Sequence, residues 1–258
     1  GGDSPLCPPL GTEGTVPTVP GRAAPHHPPR DRYLPQVTTY RLPLFPLGMI
    51  LYPGADAPLH IFEPRYRRLL ADVRSGDGRF GIITAPEGAG EGGIPAGRIA
   101  ALVKVTAVEP LSDGRSDIVV RGVGRVVLRE WLADPAPYRV GLVAPLDDRT
   151  EGDAAVAPAT VRVRELARRA LLATFALKEL PGEPQPLADD AAALSFQVAG
   201  MLALDDDDRY ALLAADRVSE RLALLESRLG AGVRGVEARA ELHRRAKTNG
   251  HHHGPVPG

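Results

Sequence analysis

His60, Glu63 and Arg65 lie together in PLHIFEPRYR, residues 58–67, where an imidazole able to shuttle a proton stands near a carboxylate and a guanidinium. Acid–base or covalent catalysis needs such a histidine to serve a nucleophile or a reacting group, and no nucleophile accompanies it here. His60 therefore reads as a hydrogen-bonded structural histidine. Glu63 and Arg67 are spaced i,i+4 around a helix start and are expected to pair. Arg65 is placed to reach Glu63 or a backbone carbonyl.

Other residues capable of chemistry fail on spacing or setting. A phosphate-cradling loop needs GxxxxGK[ST], so that backbone N–H groups and a lysine meet the phosphates. None of Lys104, Lys178 and Lys247 follows a glycine, and the Gly-rich run GAGEGGIPAG at 88–97 reads as a mobile loop. No GxSxG, HExxH or CxxC pattern occurs. His26-His27 and His251–His253 offer imidazoles, but in tails that supply no oriented partners for a closed metal site. No metal and no cofactor is expected. The acidic run Asp205–Asp208 reads as a helix start, where carboxylates meet the positive end of the helix dipole. Arg162, Arg164, Arg168 and Arg169 do not share one helical face and read as solvated surface.

The elements that must position these residues divide the chain in two. Residues 1–36 hold nine prolines and almost no apolar periodicity, so the segment is expected to be disordered. Strands are expected at 38–45, 58–62, 79–84, 99–108, 117–129 and 138–146. Asp113-Gly114 signals a hairpin turn, and Gly122 and Gly124 a bend or bulge. A helix over 64–73 opens with Pro64 at its first position, where the missing N–H costs nothing. From 159 onward the period becomes helical. Helices are expected at 159–179 (with Val163, Leu166, Ala170, Leu171 and Thr174 on one face), at 189–203, after Asp205, and from an Asp216 cap through Val218, Leu222, Leu225 and Leu229 to a stop at Gly230. Strands first and helices after imply an α+β fold. The expected domains are a strand-rich subdomain at 37–147, a helical bundle at 154–230 and a flexible tail at 231–258.

Bulk properties narrow the partners. The formal net charge of −1 gives no global field toward nucleic acid or anionic lipid. Aromatics make up 5% of the chain, few for a base-stacking surface. No apolar run reaches the ~18 residues of a membrane span. A single cysteine, Cys7, cannot form an internal disulfide, which fits a reducing, cytoplasmic setting. The first residue is Gly rather than Met, so a true N-terminus upstream is expected.

LPLFPLGMILYPGADAPLHIFEPRYRRLL, residues 42–70, resembles the start of the Lon protease N-terminal (substrate-binding) domain. The shared pattern is LPLFPL, then YPG, then PLHIFEPRYR and an apolar helix. RFGIIT, GRIAALVKV and DIVVRGVGRVVL fall where that family has its next strands, and the likeness extends over about 40–230. It implies a PUA-like pseudo-barrel followed by a helical bundle. The ATPase and Ser–Lys peptidase motifs of the full-length protease do not occur in this sequence. The expectation is a stand-alone Lon-domain protein of the bacterial kind, not an enzyme.

The resemblance also implies what the residues do. Pro43, Pro46, Gly54, His60, Glu63, Pro64 and Arg67 form a structural signature, the prolines keeping the segment from a regular ladder. Met49, Tyr52, Phe62, Arg65 and Tyr66 are the candidate peptide-binding residues, in a groove at the seam of barrel and bundle, with Leu47 and Ile50 beside them. For Leu47, Ile50 and Phe62, core membership is the stronger reading. The expected function is a non-catalytic polypeptide-binding module, a proteostasis adaptor whose partners are exposed polypeptide segments and a protease or chaperone. The alternative is a PUA-like protein that binds RNA or a small ligand.

Overall fold

Residues rich in Val, Ile and Leu at period two build six strands, β1 (Tyr40–Pro46), β2 (Asp56–Ile61), β3 (Arg79–Ile83), β4 (Ile99–Pro110), β5 (Ser116–Leu132) and β6 (Arg139–Pro145). The computed structural model describes residues 38–149 and 151–249. The Pro-rich segment 1–36, with Cys7 and His26-His27, and the stretch with His251–His253 lie outside the described residues. β1 and β3 run parallel, and every other pairing is antiparallel. The pairing closes on itself: β5 meets β4, then β3, β1 and β6, and β6 returns to β5. β2 hangs on the outside of β5 as an edge strand.

Two local devices shape this ring. β5 must serve β2 with its first half and β6 with its second, and a register shift at Leu102/Val103 bends it where Gly122 faces Val103 and Gly124 faces Leu102. The extra residue, Val123, is left exposed, as expected of a bulge. The prolines of β1 do not break its ladder, contrary to expectation. Pro43 pairs with Val140 in the half of β1 that meets only β6, so a missing N–H on the other edge costs nothing. Pro58 sits likewise in β2, which has one neighbour.

Helix α1 (Pro64–Arg74) starts with Pro64 at its first turn and buries Tyr66, Leu69, Leu70 and Val73. With Phe45, Ile61, Phe80, Val103 and Val120 they make one core. Each such side chain contributes at most roughly 1.5–3 kcal/mol. A second core inside the ring joins Leu44, Ile83, Ala100, Val126, Leu128 and Val143.

The second half is helical: α2 (Asp153–Lys178), α3 (Ala191–Met201), α4 (Asp206–Ala214) and α5 (Val218–Asn249). Asp190 and Asp205 cap α3 and α4, accepting from the N–H groups of Ala193 and Asp208 at 2.8 Å each. α2 begins before the expected 159, because Pro158 in its second turn forfeits only one intrahelical bond. Asp216 does not cap α5. Its carboxylate pairs with Arg149, and Glu151 takes the Ser219 N–H (3.0 Å) and hydroxyl (2.5 Å) instead. Nor does α5 stop at Gly230: 231–249, expected as flexible tail, continues the helix. A glycine costs about 1 kcal/mol in a helix, and here Val233 and Ala240 are buried beyond it while Glu237 holds Arg169 of α2.

The fold is thus mixed α+β, a six-stranded sheet followed by helices. A third core joins Val163, Leu194, Leu212, Leu222, Leu225 and Leu229 of the helices to Ile50, Tyr52 and Ile99 of the strand half. Among the described residues no helix is long and apolar enough to cross a membrane, and no cluster of three His, Cys, Asp or Glu is placed to hold a metal ion.

Candidate functional site

The stretch 42–70 is held by backbone first. Its Tyr52-Pro53-Gly54 turn places Gly54 at φ 86°, in the left-handed region where glycine is favoured. The Gly54 N–H donates to Gly122 O at 2.8 Å, and Gly122 N–H donates back to Ala55 O at 2.9 Å. From there β2 sends Leu59 and Ile61 inward, His60 and Phe62 outward, as the period of two requires.

The helix start then builds a clamp. Glu63 is the N-cap of α1, with extended backbone and no side-chain capping bond. Its carboxylate accepts from Arg65 Nε at 2.8 Å. The other two guanidinium nitrogens of Arg65 donate to both oxygens of Glu91, at 2.7 and 2.8 Å. Tyr66 lies beneath, its ring 3.8 Å from that of Phe45 and 4.4 Å from the Arg65 guanidinium carbon. Burial pushes the Tyr66 hydroxyl up to about 12, so it remains a donor toward Glu91. The hydrogen bonds from Arg65 hold the Glu91 carboxyl below its ordinary value.

The Gly-rich run, expected as a mobile loop, is anchored at Glu91 and Ile94. Glu91 is fixed by Arg65, its carbonyl accepts from Arg139 at 2.8 Å, Ile94 is buried, and Ile94 O accepts from Trp131 Nε1 at 2.8 Å. A test follows from the sign of the Glu91 shift. A carboxyl depressed in the folded state adds stability that is present above its unfolded value of 4.5 and is lost as pH falls through the folded value. The pair is partly exposed, so Glu91→Gln is expected to cost only about 0.5–1 kcal/mol near pH 7. Urea unfolding of both proteins across pH is expected to show that gap closing in acid. A gap that persists unchanged at pH 2 rules out the ion pair as its source.

Around the clamp two hollows of about 190 and 230 Å³ share Pro46, Leu47 and Glu91. Phe45, Pro46, Leu47 and Ile61 give the first its apolar wall, and His60, Phe62 and Glu63 its rim. Phe62 is 57% exposed, so its expected place in the core is not observed. It follows directly on the edge strand β2, which no strand covers on its outer side. His60 is exposed too. Its Nδ1 meets Asp117 at 2.6 Å, its Nε2 meets Arg115 at 3.4 Å, and its ring stacks on Phe62. It is hydrogen-bonded as expected, but on the outer edge of the sheet. Neither partner is a nucleophile that His60 could serve as a base.

The candidate residues do not converge at one seam. Phe62 and the buried Tyr66 line the first hollow, while Arg65 lines neither hollow and is committed to Glu63 and Glu91. Met49 is half-buried against the α1 core, and its carbonyl accepts from Thr84 Oγ1 at 3.0 Å. Tyr52, 3% exposed, lies between strands and helices instead. It donates to Arg209 O at 3.0 Å and stacks on Phe196. The seam does hold a separate cavity of about 380 Å³, between Pro53-Gly54-Ala55 and α3. Glu63 pairs with Arg65 rather than Arg67, because i,i+4 spacing brings side chains together only when both residues are helical. The Arg67 guanidinium lies over Gly114 in the β4–β5 turn.

Sequence reasoning missed the most buried polar cluster. Arg125 of β5 and Arg221 of α5 are 5% and 0% exposed, and both bind Asp148. Phe196 of α3 lies against both guanidiniums, and Ser195 accepts from Arg221 at 2.9 Å. Burial pulls the Arg125 guanidinium below its ordinary value, and Asp148 opposes that shift. No local motif marks three charges so far apart in sequence. The only available hint was an arginine at an a/d-like spacing between Val218, Leu222 and Leu225.

A sequence model described as the ATP-dependent protease La (LON) substrate-binding domain matches residues 41–229. The chain is similar to the solved Lon N-terminal domain protein from Xanthomonas campestris, with 28% identity and a TM-score of 0.51, over 71% of this chain and 95% of that one. It shares its fold with the N-terminal domain of Mycobacterium avium complex Lon protease, with 19% identity and a TM-score of 0.59, over 74% of this chain and 98% of that one. No curated protein gives a significant match.

Proposed function

The chain belongs to the ATP-dependent protease La (LON) substrate-binding domain family, and from that premise we propose that it is a non-catalytic module that binds exposed polypeptide segments at the hollows beside Phe62. The supporting observation is a large aromatic ring, 57% exposed, standing over apolar walls and rigidly backed by the Arg65–Glu91 clamp. An exposed aromatic beside a preformed hollow is how proteins anchor a partner's apolar side chain at low entropic cost. The same reading takes 37–147 as a PUA-like pseudo-barrel subdomain, which the self-closing strand pairing supports, and 154–230 as a bundle subdomain. It assigns the module to a proteostasis adaptor role beside a protease or chaperone in a reducing, cytoplasmic setting.

Titration with a panel of apolar peptides is expected to give micromolar-range binding. Phe62→Ala is expected to weaken it about tenfold or more, the scale of losing an aromatic anchor, while the melting curve stays unchanged because the side chain is exposed. No binding across the panel, or equal affinity for the variant, counts against the reading. Binding of RNA that falls steeply with salt would replace it with the nucleic-acid alternative.

A further inference from the structure

β2 alone among the six strands has a single neighbour, β5, so one of its edges faces away from the sheet. The Gly122 N–H donates to Ala55 O, which aims the backbone groups of Ala55 at β5. In an antiparallel ladder the next residue aims both its groups the other way. Ala57, Leu59 and Ile61 therefore serve β5, and Asp56, Pro58 and His60 point their groups outward. Pro58 agrees with this, since a missing N–H is tolerated on a free edge. The outer edge thus carries the N–H groups of Asp56 and His60 and the carbonyls of all three residues, and no described residue bonds them. Charged side chains commonly close such an edge. Here they are drawn back over the sheet, Asp56 to its cross-strand neighbour Arg121 and His60 to Asp117.

Backbone geometry selects the occupant. The row repeats every second residue, about 6.8 Å apart, and asks for donors and acceptors at the same repeat. An extended polypeptide supplies them, whereas a helix has spent its backbone groups internally. A second copy laid antiparallel and centred on this edge would set Pro58 against Pro58, and that rung would have no donor on either side. The edge also runs into the first hollow, which His60, Ile61 and Phe62 help to line. We propose that the polypeptide bound beside Phe62 is held in extended form, as an added strand hydrogen-bonded to Asp56, Pro58 and His60 on the outer edge of β2. This rests on the polypeptide-binding reading of that hollow and adds the conformation that the site selects.

The probe is a capped, labelled peptide of about eight residues alternating Val and Ser, titrated by fluorescence anisotropy against the full chain. The alternation fixes which face the Val side chains take, and so which alternate set of N–H groups meets β2. Methylating that set of peptide nitrogens is expected to cut affinity about tenfold or more, and methylating the other set to change it little. Pro58→Ala adds an N–H to the edge and is expected to tighten binding about threefold or more. His60→Pro, which lacks its outward N–H, is expected to bind about fivefold more weakly than His60→Ala, which keeps it. A hydrocarbon-stapled helical peptide of the same composition is expected not to bind. Equal losses from the two methylated sets, or a helical peptide that binds as well, overturn the added strand and leave the hollow as a polypeptide site. So does an unchanged affinity in Pro58→Ala. If His60→Pro does not fold, the methylated peptides decide the matter on the parent chain. Absence of binding by every peptide overturns both readings. Self-association of the chain that Pro58→Ala strengthens assigns the edge to a second copy and overturns the proposal.

Discussion

Asp148→Ala is expected to lower stability by about 3–5 kcal/mol, the scale observed when one partner of a buried ion pair is removed. Asp148 itself is 25% exposed at its side chain, but the two guanidiniums it serves are nearly inaccessible. Arg221 binds both its oxygens at 2.6 Å, and Arg125 binds one at 2.5 Å. Without the carboxylate, Arg125 keeps the carbonyls of Leu213 and Ala215, and Arg221 keeps Ala215 O and the Ser195 hydroxyl. Those acceptors satisfy hydrogen bonds but neutralise no charge. Arginine cannot escape by losing its proton, so two cations remain in a low-dielectric seam. The internal control is Asp56→Ala. That carboxylate also binds an arginine bidentately, Arg121, but both groups are about half exposed. Its loss is expected to shift the unfolding midpoint far less, because water screens an exposed ion pair. Urea unfolding checks both, reading the shift in midpoint at constant slope. Comparable shifts for the two variants would mean that water reaches the Asp148 cluster and that it does not hold strands to helices.

The contrast between these two pairs marks what sequence reading reaches. Signals that act within a few residues were legible. Pro64 opens α1, Asp190 and Asp205 cap their helices, and Gly122 and Gly124 bend β5, because each effect depends on local backbone geometry. The signature at 42–70 was legible as a family pattern, and the family match over 41–229 agrees with it. Its side chains were not placed by it. Phe62 and Tyr52 are both aromatics in that stretch, yet one faces solvent at the end of an edge strand and the other is sealed under Phe196. Which fate applies depends on α3 and α4, more than a hundred residues later. Glu91 was hidden in a glycine run because its partner, Arg65, lies on another element. Gly230 read as a stop because the cost of glycine is local, while the packing against α2 that offsets it is not. The candidate site was therefore legible as a region and not as an arrangement.

Gly122→Ala is expected to be nearly as damaging as the loss of Asp148, through sterics alone. A Cβ at Gly122 would stand 2.2 Å from the carbonyl oxygen of Tyr52 and 3.2 Å from Pro53 Cα. These are backbone atoms, and no rotamer change relieves them. The turn cannot swing aside cheaply either. It is tied to Gly122 by two backbone hydrogen bonds, and Gly54 holds it in a left-handed conformation. Any displacement of Tyr52 also drags on its ring, which is stacked on Phe196 and bonded to Arg209 O. Overpacking of this kind costs roughly 1–3 kcal/mol and sometimes more, and the upper end is expected here because both sides of the clash are constrained. Gly124 supplies the comparison two residues along the same strand. A Cβ there meets nothing closer than Leu102 Cδ2 at 3.7 Å, an ordinary contact. Gly124→Ala is expected to lie within about 0.5 kcal/mol of the parent, with any gain coming from reduced freedom of the unfolded chain. Denaturant midpoints of the two variants settle the matter. Equal effects would show that β5 tolerates a side chain at its bend, and that the Tyr52-Pro53-Gly54 turn does not lock onto the ring at Gly122.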